Sequence, residues 1–304
     1  MSQTATKTQV RDLDFGATDV RGPAAVRAPA PITAARPIVL RSAGRRHGNI
    51  VRLVSPSDIG ELIKPFVFLD HAEVPYTGVK LFGIHPHSGI ATLTTVLSGG
   101  MAYEDTTGKQ GEVKKGGLEW MKAGNGVWHD GGPLEGEPLR VFQLWVALPA
   151  ADENSQSESE YIAPETVEED GPVRVILGTH GRARSAIHGA PRGIDYFHVR
   201  LKDGERWSYA PARGHNVAWL AVDRGRLHAS QIVEQGQVAV FAESEDAVEV
   251  RAEGDTSFVF GSAAKHPHPL VLGSYSVHTS EEALARGEAE IARIGRKLRG
   301  AGRA

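Results

Sequence analysis

The chain has 304 residues, 35 of them glycine and 17 proline, with no cysteine and a formal net charge of -3. That length allows one large domain or two ordinary ones, and the glycine and proline content favours a turn-rich, all-β architecture. Near-neutral charge leaves no nucleic-acid footprint, the lack of cysteine excludes disulfides and thiolate sites, and no apolar run is long enough to be a membrane span.

Residues 1–36 are rich in Ala, Pro, Thr and Arg, a composition suited to an arm that is loose or draped over a neighbour. The first residues lack an apolar signal-peptide segment, so a cytoplasmic location is expected. Residues 37–150 carry short apolar runs between turns: Ile38-Val39-Leu40, Ile50 to Val54, Phe66 to Leu69, Ala91 to Leu97, and Arg140 to Leu148 before Pro149. They form a first β unit. Residues 151–171 are acidic and polar and read as a linker. A second β series spans 172–277. Over 278–304, Thr279-Ser280-Glu281-Glu282 has capping-box spacing, and Leu284, Ile291, Ile294 and Leu298 form a helical stripe. Arg293, Arg296, Lys297, Arg299 and Arg303 fall at the end of that helix, where cations suit the macrodipole.

A weak internal repeat pairs Ile90 to Gly99 with Asn216 to Gly225, and Gly117 to Ala123 with Gly236 to Ala242. It predicts two similar barrels. In the second copy Pro211 and Arg213 fall at the places of His85 and His87, and Val248 falls near that of His129. The second barrel is therefore expected to lack the histidines.

Those histidines are the chemical signal. His85 and His87 are two apart in a β-branched segment, so a strand points both imidazoles to one face. His129 follows Gly124-Asn125-Gly126 and meets them if the strands close around one interior. Neutral imidazoles suit Fe, Mn, Ni, Cu or Zn, and three leave open positions for water, substrate or dioxygen. The alternative is three polar barrel residues bonded to carbonyls and water. His266-Pro267-His268 repeats the tripeptide pattern without a third partner and reads as a turn or strand edge. The other histidines (His47, His71, His180, His188, His198, His215, His228 and His278) are scattered among ordinary core and surface positions. Gly-x-Ser-x-Gly, Walker and dinucleotide signatures are missing. Glu104-Asp105 and Asp130 are candidate acid/base groups, with Glu104-Asp105 reading better as a hairpin flank, and Trp120, Trp128, Phe82 and Met121 either line an apolar pocket or pack in the core.

At these residues the chain resembles the pirins, a bicupin family. The matching segments are Pro65 to His71, His85 to Gly89, Tyr103 to Gly111, Trp120 to His129 and Gln143 to Pro149. The resemblance implies two stacked antiparallel cupin (jelly-roll) barrels with a C-terminal helix. It also implies a metal in the first barrel, Fe(II) or another divalent transition metal, held by His85, His87 and His129. The family's fourth ligand, a glutamate, falls at Gly131. Asp130 is one residue early and faces the other way on a regular strand. The acidic position of general cupins is vacant too, at Ala91. Two functions follow from the resemblance: a quercetin 2,3-dioxygenase-type oxidoreductase acting on a flavonol-like small molecule, or a non-catalytic binding protein that regulates a protein partner.

Overall fold

A computed structural model describes residues 36–78 and 83–302, so the arm before Arg36, Phe82 and Arg303 lie outside the described residues. The first half contains β1 (Ile38–Ser42), β2 (Arg45–His47), β3 (Ile50–Val54), α1 (Ile59–Ile63), β4 (Phe66–Val74) and β5 (His85–His87). It continues through β6 (Ile90–Ser98), β7 (Gly100–Asp105), β8 (Gln110–Lys114), β9 (Leu118–Lys122), β10 (Val127–Pro133), β11 (Leu139–Ala147) and β12 (Glu158–Ile162). The second half contains β13 (Glu169–Asp170), β14 (Val173–Leu177), β15 (Thr179–His180), β16 (Ala183–Arg184), β17 (Ile194–Leu201) and β18 (Arg206–Tyr209). Then come β19 (Val217–His228), β20 (Ile232–Glu234), β21 (Val238–Phe241), β22 (Val248–Ala263), β23 (Val271–Leu272), β24 (Val277–His278) and α2 (Glu281–Gly300). The expected all-β bicupin fold is present. No helix among the described residues is long and apolar enough to cross a membrane.

In the first half, the seven-stranded sheet β12-β9-β6-β11-β4-β3-β2 is closed by the four-stranded sheet β5-β10-β7-β8. Met101 and Val113 of the smaller sheet pack on Val74, Val96 and Val141 of the larger. The larger sheet's outer face carries Leu69, Leu93, Trp120 and Leu144. It meets Tyr196, Trp219 and Val259 of the second half in one continuous core, with Phe66 edge-on to Trp219 at 5.4 Å. β6 is thus covered on both faces and buried along almost its whole length, its threonines included, rather than alternating between buried and exposed.

Hydrogen bonding crosses the boundaries drawn from composition. β1, assigned by sequence to the first unit, pairs with β21 of the second. β12 falls within the stretch read as a linker, yet it pairs with β9 of the first half along its whole length. Both cover strand edges that would otherwise present unpaired backbone groups. α2 also returns to the first half, where Trp128 Nε1 donates to the Ile291 carbonyl at 3.0 Å.

The cap of α2 is Ser280, whose side chain accepts from the Ala283 amide, one residue after the predicted Thr279. Its buried face is Ala283, Gly287, Ile291, Gly295 and Leu298 rather than the expected stripe through Leu284 and Ile294. Small residues at Gly287 and Gly295 let the helix lie close against Ser88 and Trp128. An apolar-periodicity reading passes over glycine, so it misplaces that face.

Candidate metal centre

The three histidines converge because of strand register. β10 runs between β5 and β7, with His129 opposite His85 and Val127 opposite His87. Gly89 turns the chain from β5 into β6 at φ +74, and a Cβ there would lie 2.1 Å from the Val277 carbonyl oxygen. Glycine both permits that turn and lets the C-terminal segment run alongside Ser88. This close approach brings the Tyr275 carbonyl to His87 Nδ1 at 3.1 Å.

The ring centroids of His85 and His129 are 4.4 Å apart, and His87 lies 5.1 Å from each. One nitrogen from each ring lies within 4.8 Å of the others, and among the described residues this is the group able to hold a metal ion. The outward nitrogens are engaged: His85 Nδ1 meets the Gly83 carbonyl at 3.0 Å, His87 Nδ1 meets Tyr275, and His129 Nδ1 lies 3.5 Å from Glu119 Oε1. Nε2 of His87 and of His129 are buried and have no hydrogen-bond partner. A buried polar atom left unpaired costs about 1–3 kcal/mol, so two in one cluster are unfavourable unless something else meets them. Burial, reinforced by the neighbouring imidazoles, pushes the pKa of His85 down and that of His87 well down. Both rings are thereby kept neutral, the form that ligates. A divalent transition metal fits this donor set.

Behind the histidines a row of cross-strand neighbours spans the larger sheet: Arg52, Asp70, Gln143, Thr94, Glu119 and Tyr161. In the second half the corresponding row is apolar, with Leu220 between Ala239 and Phe260 and Phe197 beyond. All four of those residues are buried in one core. The repeat lays Glu119 over Val238, but the pairings Thr94–Glu119 and Leu220–Ala239 move its counterpart to Ala239.

The polar row opens on two spaces. A cavity of about 80 Å³ is lined by His85, His129, Glu119, Thr94, Asp70, Gln143 and Gly131, with Met101 and Val141 beneath. At roughly 30 Å³ per water it holds only two or three water-sized groups. A cleft of about 440 Å³ lies outside it, lined by Arg52, Phe68, Asp70, His85, His87, Gln143, Trp145 and Tyr275. That volume is within the roughly 300–1,000 Å³ of small-molecule sites. Phe68 and Trp145 stack at 4.0 Å in its wall, and the Arg52 guanidinium lies over Phe68 at 3.8 Å while pairing with Asp70.

Asp130 lines a separate outer groove with Glu104, while Gly131 lines the cavity with His129, as strand alternation predicts. Of the two readings of the aromatic segment, core packing holds for its described residues. Trp120 is in the core between the halves, Met121 packs with Ala123 and Val127, and Trp128 lies against α2. Phe68, Trp145 and Tyr275 line the cleft instead. His266 and His268 lie outside regular strands, with His266 Nε2 on the Leu148 carbonyl at 3.2 Å. Asp105 is tied to Thr107 and Tyr161 at its turn. Sequence reasoning missed Asp70, Thr94, Glu119 and Gln143, whose signal is a polar side chain inside an otherwise apolar strand.

One further alignment resembles catalytic machinery. Ser88 Oγ is 2.9 Å from His278 Nε2, and His278 Nδ1 is 3.2 Å from Glu153 Oε2. The hydroxyl of Ser88 also donates to Ser276, all three groups are buried, and Gly287 of α2 lies directly over them. Buried beneath α2, the group pins the C-terminal segment to the first half.

Residues 49–146 match the Pirin family model, covering most of the strands that build this centre. A pirin-like protein of Caulobacter vibrioides is 32% identical over 64% of this chain and 74% of its own length. A Pseudomonas aeruginosa protein provisionally named as a quercetin 2,3-dioxygenase is 35% identical over 61% of this chain and 67% of its own. Among solved structures, a quercetin 2,3-dioxygenase from Acinetobacter baumannii superposes with a TM-score of 0.76 at 23% identity, covering 86% of this chain and 98% of that one. With its halves, its histidine cluster and these relatives taken together, the chain belongs to the pirin family.

Proposed function

We propose that His85, His87 and His129 bind a divalent transition metal, iron in the first instance, and that the protein is a quercetin 2,3-dioxygenase-type oxidoreductase acting on a flavonol-like substrate. The observation that carries this reading is the pair of buried, unpartnered Nε2 atoms on His87 and His129 beside His85. When bound, the metal would supply a Lewis acid for an enolic oxygen and a site for dioxygen. The chain's own residues would do the rest. Phe68, stacked between Trp145 and the Arg52 guanidinium, gives the cleft an apolar wall, and Tyr275 lines the approach to His85 and His87. Asp70 faces both cleft and cavity. Burial raises its carboxyl pKa, although Arg52 opposes the shift. It is suited to take the proton of a substrate hydroxyl.

The test is the metal content of the purified protein, before and after anaerobic addition of Fe(II), followed by oxygen consumption with a panel of flavonols. One metal per chain, abolished in His85→Ala, and flavonol-dependent oxygen uptake are expected. No uptake of metal, or uptake unchanged in His85→Ala, refutes the metal reading. A second reading, a non-catalytic regulatory pirin, is favoured by Gly131, where no carboxylate neutralises the bound cation. Iron held at the histidines without oxygen consumption on any flavonol would select it.

A further inference from the structure

Glu119 is a buried charge of the first half whose placement the fold alone does not explain. It is the second residue of β9, is 1% exposed, and points into the interior beside His129. Its Oε2 accepts from Thr94 Oγ1 at 2.7 Å, while its Oε1 has no hydrogen-bond partner and lies 3.5 Å from His129 Nδ1. Burying a carboxylate is costly unless its environment compensates. The second half shows that this register does not require one, since Leu220 and Ala239 occupy the equivalent pair and are fully buried. The first interior carries the histidine cluster beside this pair, and Glu119 faces it.

A carboxylate facing Nδ1 keeps the proton on that nitrogen and leaves the lone pair on Nε2, the atom that is buried without a partner. It also brings negative charge to the centre from β9. Position 131 on β10 supplies none, and a Cβ there would already lie 3.1 Å from Met101 Cε and 3.1 Å from the Ala102 carbonyl. We infer that Glu119 is the carboxylate of this site: a positioning residue that acts through His129, orienting its Nε2 toward the metal and supplying the anionic charge absent at Gly131. This rests on the metal reading above and identifies how the centre is held without a carboxylate ligand on β10.

The experiment uses the full chain. Dissociation constants for Co(II) and Zn(II) are measured by chelator competition for wild type, Glu119→Gln and Glu119→Asp, with the Co(II) visible spectrum recorded for each. Glu119→Gln keeps the size and an acceptor for Thr94 but removes the charge. Its affinity is expected to fall about 10–100-fold with a changed Co(II) spectrum, and Glu119→Asp to recover part of the loss. In the metal-free wild type, ¹⁵N NMR should show His129 protonated on Nδ1, a readout that needs no variant to fold. Affinity of Glu119→Gln within twofold of wild type, or a metal-free His129 protonated on Nε2, overturns the role of Glu119 while leaving the metal site standing. Wild type that binds neither metal overturns both.

Discussion

Gly287→Ala tests how the C-terminal helix holds the centre. An ideal Cβ on Gly287 would lie 2.4 Å from Ser88 Oγ, 2.7 Å from His278 Nε2 and 2.9 Å from Ser88 Cβ. On an open helix surface the change would stabilise by about 1 kcal/mol. Here the methyl enters a closed contact, at a cost of about 1–3 kcal/mol. Displacing Ser88 also breaks a buried hydrogen bond to His278, worth about 1–3 kcal/mol when its partner is left unpaired. The net expectation is destabilisation by about 2–3 kcal/mol, which lowers Tm by about 3–5 °C in a chain of 304 residues. Calorimetry and urea midpoints on the metal-free protein measure it. Gly300→Ala, on the same helix with nothing within 4 Å of the new methyl, is the control and should be neutral or slightly stabilising. Because Tyr275 and Ser276 lead into α2, Gly287→Ala should also loosen the carbonyl that orients His87 and weaken metal binding. A Gly287→Ala protein that melts at or above the wild-type temperature would refute the seating of α2 on Ser88 and His278.

Three other outcomes follow from the same structure. His198 is buried, and desolvation, helped by Arg200, pushes its pKa down to about 3. Above pH 6.5 both folded and unfolded forms of this group are neutral; below it only the unfolded chain takes up the proton, so stability falls with pH until about 3. Between pH 7 and 5 wild type should lose about 2 kcal/mol more than His198→Asn in urea titrations, and parallel pH profiles would contradict this. Asp223 of the second half lies 3.1 Å from both His71 Nε2 and Arg140 Nε of the first. Asp223→Ala should cost about 2–4 kcal/mol by chemical denaturation, because it strands a largely buried guanidinium; a loss under 1 kcal/mol would show that the two halves do not depend on that pair. Asp70→Asn should retain metal but reduce flavonol turnover at least about tenfold, as expected of a lost general base; unchanged kcat would remove Asp70 from the chemistry.

Much of this was legible in the chain because strand periodicity is a local property. His85 and His87 had to share a face, and Asp130 and Gly131 had to point to opposite sides; the repeat misplaced the histidines' counterparts at Pro211, Arg213 and Val248, since β18 pairs with β22 through Trp207, Tyr209 and Val250. The helix over Glu281–Gly300 was visible too, although its buried face was not, since glycine carries no apolar signal where closeness of approach is the purpose. Boundaries were less legible. β1 and β12 look like a continuation of the first unit and an acidic linker, and only hydrogen-bonding partners distant in sequence assign them to the second and first halves.

Glu119 marks the limit most clearly. In Leu118-Glu119-Trp120-Met121 it is one charge in a short strand, and nothing local says that it faces His129 rather than solvent. Its side was decided when β9 paired with β6 and placed it opposite Thr94, and its partner when β5 and β10 closed over that face. The sequence by itself determined which residues could ligate a metal, because residue type and alternation along one strand are enough for that, and the resemblance to the pirins marked Gly131 as the place where the family's carboxylate is missing. Only the tertiary structure decided that a carboxylate reaches the same histidine from another strand, because contacts between strands depend on register and closure, which no single segment encodes.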